Sequence, residues 1–275
     1  MTKPQSPPHC ELFSLPPMSP RPAVEPAAVE IPTRSVVTGD KEVDLVIWLR
    51  ELIETGNTAL TEVARQEAAR LRSPMEEIEK RYASYLRAQS GGNVMAALSS
   101  IGFGELEKLE IRVARDMQHR SEALARFGTP EAVMADTPAE KFCRAVLRGL
   151  KCWKYGFMDP NQVDARFLAH AEQLPRTLSE CLAELTYWRD LHHLRHSFDG
   201  AVDSLPAAYE RECFVRRRLA AIPPSSGSEA LAVFDFMEAE ELFEQPEALA
   251  ILRNLLGGAR REPAQFTTST EASNT

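Results

Sequence analysis

A recurring signal for the start of a helix constrains the fold of this chain more than any other feature. In the full signal a capping side chain precedes a proline, and Glu or Gln follows three residues after the cap. The cap satisfies an unpaired N–H of the first helical turn, and proline suits that turn because it has no N–H. The signal occurs at residues 73–76, 137–140 and 159–162, and without the proline at residues 177–180. Glycines such as Gly128 follow apolar periodic segments, as helix ends do, so about ten helices are predicted.

Composition favours the same fold class. The 275 residues include 35 Ala and 29 Leu but only 15 Val and 8 Ile, and β-branched residues are the ones that strands select. The hydrophobic fraction of 44% is sufficient for a core. No apolar run approaches the roughly 20 residues that a membrane span needs, so no span is predicted. The sequence therefore predicts an all-α, multi-helix bundle.

Prolines and charges divide the chain into segments. Residues 1–37 hold nine prolines and hardly any periodic apolar pattern, which predicts a disordered N-terminal tail. Residues 38–90 are predicted to form an N-terminal helical subdomain, and residues 93–222 the main helical domain. A linker rich in Pro and Ser then precedes an acidic C-terminal helical pair at residues 228–257. Residues 260–275 are predicted to be a second disordered tail.

Cysteine usage and missing motifs bound the chemistry. The five cysteines are odd in number and contain no Cys-x-x-Cys spacing, and the N-terminus lacks the basic and apolar stretches of a secretory signal. We therefore predict a reducing, cytoplasmic setting. The sequence has no Walker A motif, no complete dinucleotide-binding glycine loop and no Gly-x-Ser-x-Gly elbow. Neither a cofactor nor a catalytic residue is predicted.

The sharpest charge contrast lies in a helix predicted over residues 138–155. The chain has a net charge of −8, yet residues 141–155 contain five basic side chains and no acidic one. These side chains advance by three or four positions and so share one face, while apolar residues form another. We predict that this face binds an acidic protein partner or nucleic acid. The alternative is solvation, or internal pairing with the carboxylates after the linker. The basic residues are Lys141, Arg144, Arg148, Lys151 and Lys154.

Residues 58–87 suggest an alternative site for DNA. Two short helices joined by a turn at Arg72-Ser73 have the spacing of a helix-turn-helix. With the larger helical domain that follows, this layout resembles bacterial one-component regulators in architecture. Glu76 and Glu77 begin the second helix and would repel phosphate, which favours an ordinary packed hairpin. If DNA binds, the predicted phosphate contacts are Arg65, Arg70, Arg72, Lys80 and Arg81.

A repeated Asp-x-x-His spacing suggests a second alternative, a metal site. Helical bundles can hold paired iron or manganese ions with a carboxylate and a histidine one turn apart on separate helices. Chance gives about one such spacing in a chain with 6 His and 40 acidic residues, and the usual carboxylate is the longer Glu. A solvated polar helix face is therefore favoured over a metal site. The residues concerned are Asp116, His119, Asp190 and His193.

Taken together, these patterns favour a non-enzymatic regulatory or adaptor protein that binds a macromolecular partner through the basic helix. Three alternatives stay open: a DNA-binding transcriptional regulator, a helical-bundle metalloenzyme and a secreted bacterial effector. The last rests only on the composition of the N-terminal segment.

Overall fold

The computed structural model confirms the all-α fold. It describes residues 7–20, 31–151, 158–200 and 205–259, and within these it contains helices and no strand. In the same residues, no helix is both long enough and apolar enough to cross a membrane. The α-helices are α1 (His9–Leu12), α2 (Lys41–Glu54), α3 (Thr58–Ala68), α4 (Met75–Gln89), α5 (Leu106–Phe127), α6 (Pro130–Met134), α7 (Pro138–Val146), α8 (Pro160–Leu168), α9 (Leu178–His196), α10 (Pro206–Ala221), α11 (Gly227–Ala239) and α12 (Ala248–Ala259). Short 3-10 helices lie at Val94–Ser100, Ala171–Gln173 and Leu242–Glu244.

Three of the helix starts predicted from the sequence form as expected. The Thr137 hydroxyl accepts a hydrogen bond from the Glu140 N–H, and the Glu140 carboxylate accepts one from the Thr137 N–H. This pair completes a capping box at the start of α7. Asp159 and Thr177 cap α8 and α9 with their side chains. Because each cap satisfies donors of its own first turn, local sequence is enough to fix where these helices begin.

The predicted cap at Ser73 is wrong. Helix α4 follows Pro74 and has no side-chain cap. Instead, the backbone N–H groups of Arg72 and Ser73 donate to Glu42 Oε1 at 2.9 and 3.1 Å. A carboxylate of α2 therefore holds the turn before α4, and this partner lies too far away in the sequence for a local pattern to reveal it.

The described helices belong to two compact units. Unit 1 consists of Met1–Pro17 and Thr129–Thr275, and unit 2 consists of Met18–Gly128. Unit 1 is thus discontinuous in sequence, because the whole of unit 2 lies between its two parts. In unit 1, α10 packs against α7, α8, α9 and α12, while α11 packs against α9 and α12.

Unit 2 extends beyond the predicted subdomain boundary at residues 90–93. Helix α5 belongs to it because the apolar stripe of α5 packs on α2: Leu109 lies in one core cluster with Leu49 and Ile53. A second cluster joins α2 to α4 through Val46 and Ile78. Helix α2 is therefore the shared wall of both clusters in unit 2.

Residues 7–20 have a defined structure, although they lie within the stretch predicted to be disordered. Leu12 and Phe13 are buried, and so is His9. The prolines around this short segment indicate disorder when composition alone is considered. Between them, however, the sequence His9–Phe13 places three side chains where they can fill gaps in unit 1. Residues 1–6, 21–30 and 260–275 lie outside the described residues.

Candidate partner-binding groove

Helix α7 is shorter than predicted and carries only part of the basic face. It ends at Val146 instead of residue 155, and the chain turns at Gly149 with a φ of 82°. That left-handed conformation favours glycine and is incompatible with a continuing helix. Lys141 and Arg144 therefore lie on α7, and Arg148 lies in the turn. Lys151 is exposed beyond the turn, and Lys154 lies outside the described residues.

Three of the predicted basic residues surround a groove. Lys141, Arg144 and Arg148 are exposed and line a cavity of about 400 Å³. The remaining lining is apolar and comes from α7, from the turn after it, from the segment before α8 and from the first turn of α10. These apolar residues are Ala145, Leu147, Met158 and Ala207. The groove thus combines a basic rim with an apolar floor, and Lys151 is not part of its lining.

The inner face of α7 fixes the groove to unit 1. Ala139, Cys143 and Val146 point into the core and are buried. On the opposite wall, the Met158 N–H donates to Glu210 Oε1 of α10 at 2.7 Å. Both walls are therefore held by contacts beneath the groove, which leaves the basic side chains exposed to a partner.

The start of α7 is anchored on α9 by a buried ion pair. Arg195 donates from Nη1 to Glu140 Oε1 at 2.5 Å and from Nη2 to Glu140 Oε2 at 2.8 Å. Burial disfavours the charged carboxylate, but the hydrogen bonds from Arg195 and the Thr137 N–H outweigh that effect and lower the pKa of Glu140. The Tyr187 hydroxyl also donates to Thr137 Oγ1 at 2.9 Å. This network holds the first turn of α7 against α9, just before the residues of α7 that line the groove.

The charge on the groove is largely uncompensated. Arg144 pairs with Asp136 at 2.5 Å, at an exposed site. Within the described residues, Lys141 and Arg148 form no ion pair. Two of the acidic residues after the linker have other partners: Glu229 accepts hydrogen bonds from serines, and Glu240 pairs with Arg189 at 3.1 Å. These two carboxylates therefore do not pair with the basic face.

The predicted DNA-contacting residues lie on the α3–α4 hairpin of unit 2. Most of their charge is matched nearby, since Arg65 pairs with Glu62 and Glu110, Arg70 with Glu67, and Arg81 with Asp40 and Glu42. Arg72 and Lys80 are exposed. Glu76 and Glu77 occupy the first turn of α4, as the sequence indicates. The hairpin therefore offers phosphate a surface on which carboxylates lie beside the basic side chains and repel it.

A second cavity, of about 500 Å³, lies between α3 and α5 of unit 2. Its apolar lining includes Ile53, Ala64 and Leu106. Arg65 and Glu110 also line it, and they pair with one another. This matched pair distinguishes the cavity from the groove in unit 1, where the basic side chains are mostly unpaired.

The two Asp-x-x-His motifs lie in different units. Asp116 and His119 belong to α5 of unit 2, whereas Asp190 and His193 belong to α9 of unit 1. Asp190 accepts hydrogen bonds from Arg189 at 3.0 Å. Among the described residues, no three His, Cys, Asp or Glu side chains are grouped so that they could hold a metal ion.

Sequence reasoning missed a buried charged cluster in unit 1. Arg211 and Glu184 are fully buried and paired, and His9 binds the same carboxylate. One signal was available: Glu184 lies on the apolar stripe of α9, three residues after Cys181 and four before Trp188. A carboxylate in such a stripe indicates a buried partner, but its identity depends on the tertiary fold.

Comparison with known proteins adds no family to this description. No protein-family model, no curated protein and no solved structure shows a significant match to the chain.

Proposed function

We propose that the protein is a non-enzymatic adaptor that binds an acidic segment of a partner protein in the groove beside α7. The observation that carries this proposal is the exposed basic rim of Lys141, Arg144 and Arg148 around an apolar floor. An acidic peptide with one apolar side chain matches both parts of this surface.

The two parts of the groove have different physical roles. Exposed ion pairs contribute only about 0 to 1 kcal/mol each, so the rim mainly attracts and orients an acidic segment. Burial of an apolar side chain of the partner contributes more binding free energy than one exposed ion pair, at roughly 25 cal/mol per Å² of buried apolar area. Leu147 and Met158 offer such a side chain a surface inside the ring of charges. Affinity is therefore expected to depend on both features.

An apolar floor also favours a protein segment over nucleic acid. Phosphate contacts need charged or polar donors and gain nothing from Ala145 or Met158. The arginines of the α3–α4 hairpin would be the natural second contact with DNA, and three of them already pair with carboxylates. DNA binding is therefore an outcome for the test to detect, and not the function proposed.

A binding assay with a defined probe tests the proposal. The probe is a fluorescent peptide of glutamates around one central phenylalanine, measured by anisotropy at low and moderate salt. The double variant Lys141→Glu/Arg148→Glu is expected to bind about tenfold more weakly, because two attractions become repulsions of up to about 1 kcal/mol each. Arg72→Glu/Lys80→Glu reverses two exposed charges in unit 2, so it is the matched control and should bind like the unaltered protein.

Two further probes separate the outcomes. A peptide with serine in place of the phenylalanine should bind more weakly, because the floor stays empty. No binding at low salt, or equal binding by the groove variant, would overturn the proposal. A DNA duplex that binds at low salt and is lost in the groove variant would assign the rim to nucleic acid instead.

A further inference from the structure

The core of unit 1 contains a salt bridge that is closed off by the N-terminal segment. Arg211 donates from Nε to Glu184 Oε1 at 2.6 Å and from Nη2 to Glu184 Oε2 at 2.8 Å, and both side chains have 0% exposure. His9 Nε2 lies 2.7 Å from the same Oε2. The N-terminal segment therefore contributes a direct partner to a fully buried pair of charges in unit 1.

Phe13 covers the guanidinium from another side. Its ring centroid lies 4.8 Å from the Arg211 carbon Cζ, a distance at which the ring face attracts a cation. The same ring meets Trp188 edge-on at 5.8 Å and Tyr187 at 6.0 Å, and it reaches Phe142 of α7 at 6.5 Å. Aromatic side chains therefore surround the Phe13 ring, and Arg211 lies against its face. We call this site the slot.

A third contact fixes the start of the segment. Gln173 Nε2 donates to the Pro7 carbonyl at 3.0 Å, and the Gln173 carbonyl accepts a hydrogen bond from Arg211 Nη2 at 2.7 Å. The contacts at residues 7, 9 and 13 thus converge on Arg211 and its neighbours. The Cys10 side chain, by contrast, is exposed.

The segment and the walls of the slot lie far apart in the sequence. The walls of the slot come from Thr129–Thr275, whereas the segment precedes the whole of Met18–Gly128, which forms the other unit. Only non-covalent contacts therefore hold the segment in the slot. Within the described residues, Arg211 Nη1 is buried and has no hydrogen-bond partner, so the segment does not satisfy every donor of this guanidinium.

We infer that unit 1 contains a peptide-binding slot, separate from the groove, whose ligand is the chain's own segment His9–Phe13. The slot recognises an imidazole and a phenyl ring four residues apart: Glu184 binds the imidazole, and Arg211 with Trp188 holds the phenyl ring. Because the contacts are few and local, free peptide of the same sequence can take the place of the segment.

Full-length protein with Phe13→Ala tests this inference. The variant keeps the walls of the slot but lacks the phenyl ring that fills it. A labelled peptide of residues 7–17 should therefore bind the variant at least tenfold more tightly than the unaltered chain, in which Phe13 fills the slot. The peptide carries Cys10→Ser to prevent oxidation, since Cys10 is exposed. A peptide that also carries His9→Ala and Phe13→Ala is the matched control and should not bind.

Each other outcome counts against the inference. If the variant is folded by circular dichroism and binds no peptide, the segment is only a fixed part of the core. If the unaltered chain forms a dimer that added peptide dissociates, the occupant is the segment of a second copy, and the assignment within one chain is wrong.

Hydrogen exchange of the unaltered protein gives a check that needs no variant. The amides of residues 11–13 are expected to exchange at least tenfold faster than those of α9, through local release of the segment. If the amides of residues 11–13 and those of α9 exchange at the same rate, both exchange only when the protein unfolds globally, and the inference is overturned.

Discussion

At the scale of single residues, Glu184 is a fully buried carboxylate with several hydrogen-bond partners. Its carboxylate binds Arg211 twice and His9 once, and the Trp188 indole donates to it at 3.3 Å. Burial disfavours its charged form, but Arg211 and His9 outweigh that effect and lower the pKa of Glu184. A buried charge is tolerated in a protein core only when it is matched in this way.

Removing that charge should be costly. In Glu184→Gln the side chain keeps its size, but Arg211 is left as a buried cation without a counter-ion. We expect the free energy of unfolding to fall by about 3 to 5 kcal/mol, as measured by urea denaturation. The control is Glu110→Gln, which breaks the exposed pair with Arg65 and should cost less than about 1 kcal/mol. Equal losses in the two variants would show that the buried pair has no special role.

At the scale of helices, the sequence predicts what depends on neighbouring residues. The caps at Thr137, Asp159 and Thr177 are local, and the helices begin there. The cap at Ser73 fails because Glu42, from another helix, takes over the turn. The helix predicted over 138–155 ends early, at Val146, and the chain turns at Gly149. The sequence does not predict this end, because a glycine within an apolar pattern can either continue a helix or end it, and the tertiary fold decides which.

The candidate groove was predictable only in part, for the same reason. The charges of Lys141, Arg144 and Arg148 follow from helical spacing, and they do lie together. The floor could not be foreseen, because Met158 and Ala207 come from segments that only the tertiary fold brings beside α7. The slot cannot be predicted from the sequence, because its ligand lies in a proline-rich stretch that composition alone assigns to disorder.

Glu229 shows how one carboxylate can join two helix starts. It accepts hydrogen bonds from the N–H and hydroxyl of Ser179 in the first turn of α9, and from those of Ser225 just before α11. Partial burial raises the pKa of Glu229, but these bonds lower it more, to about 2. The carboxylate also faces the positive end of the α9 dipole.

This shift predicts a specific acid sensitivity. Because the folded state lowers the pKa of Glu229 from 4.5 to about 2, its stabilisation is complete above pH 4.5 and is lost as the pH falls towards 2. Glu229→Gln should therefore lower the free energy of unfolding at pH 7, and the difference from the unaltered protein should shrink through that window. Denaturation at a series of pH values measures it. Glu238→Gln, an exposed carboxylate on the same helix, controls for the lost charge, and an equal pH profile in both variants would contradict the assignment.

At the scale of the whole molecule, one unit is formed by a continuous stretch of sequence and the other by two separate stretches. Unit 2 is continuous over Met18–Gly128 and has core clusters of its own around α2. Unit 1 also includes a segment that precedes unit 2 in the sequence. The two units are therefore expected to respond differently when the chain is divided between them.

Separate fragments put this difference to a direct test. Residues 18–128 alone should give a helical circular dichroism spectrum and a cooperative thermal transition, because their core clusters are intact. Residues 129–275 alone lack His9 and Phe13, which exposes the pair of Glu184 and Arg211 to water and lowers the transition temperature. Added peptide of residues 7–17 should restore stability by about 2.7 kcal/mol at a hundredfold excess over its dissociation constant. If the second fragment is equally stable with and without the peptide, the N-terminal segment does not complete unit 1.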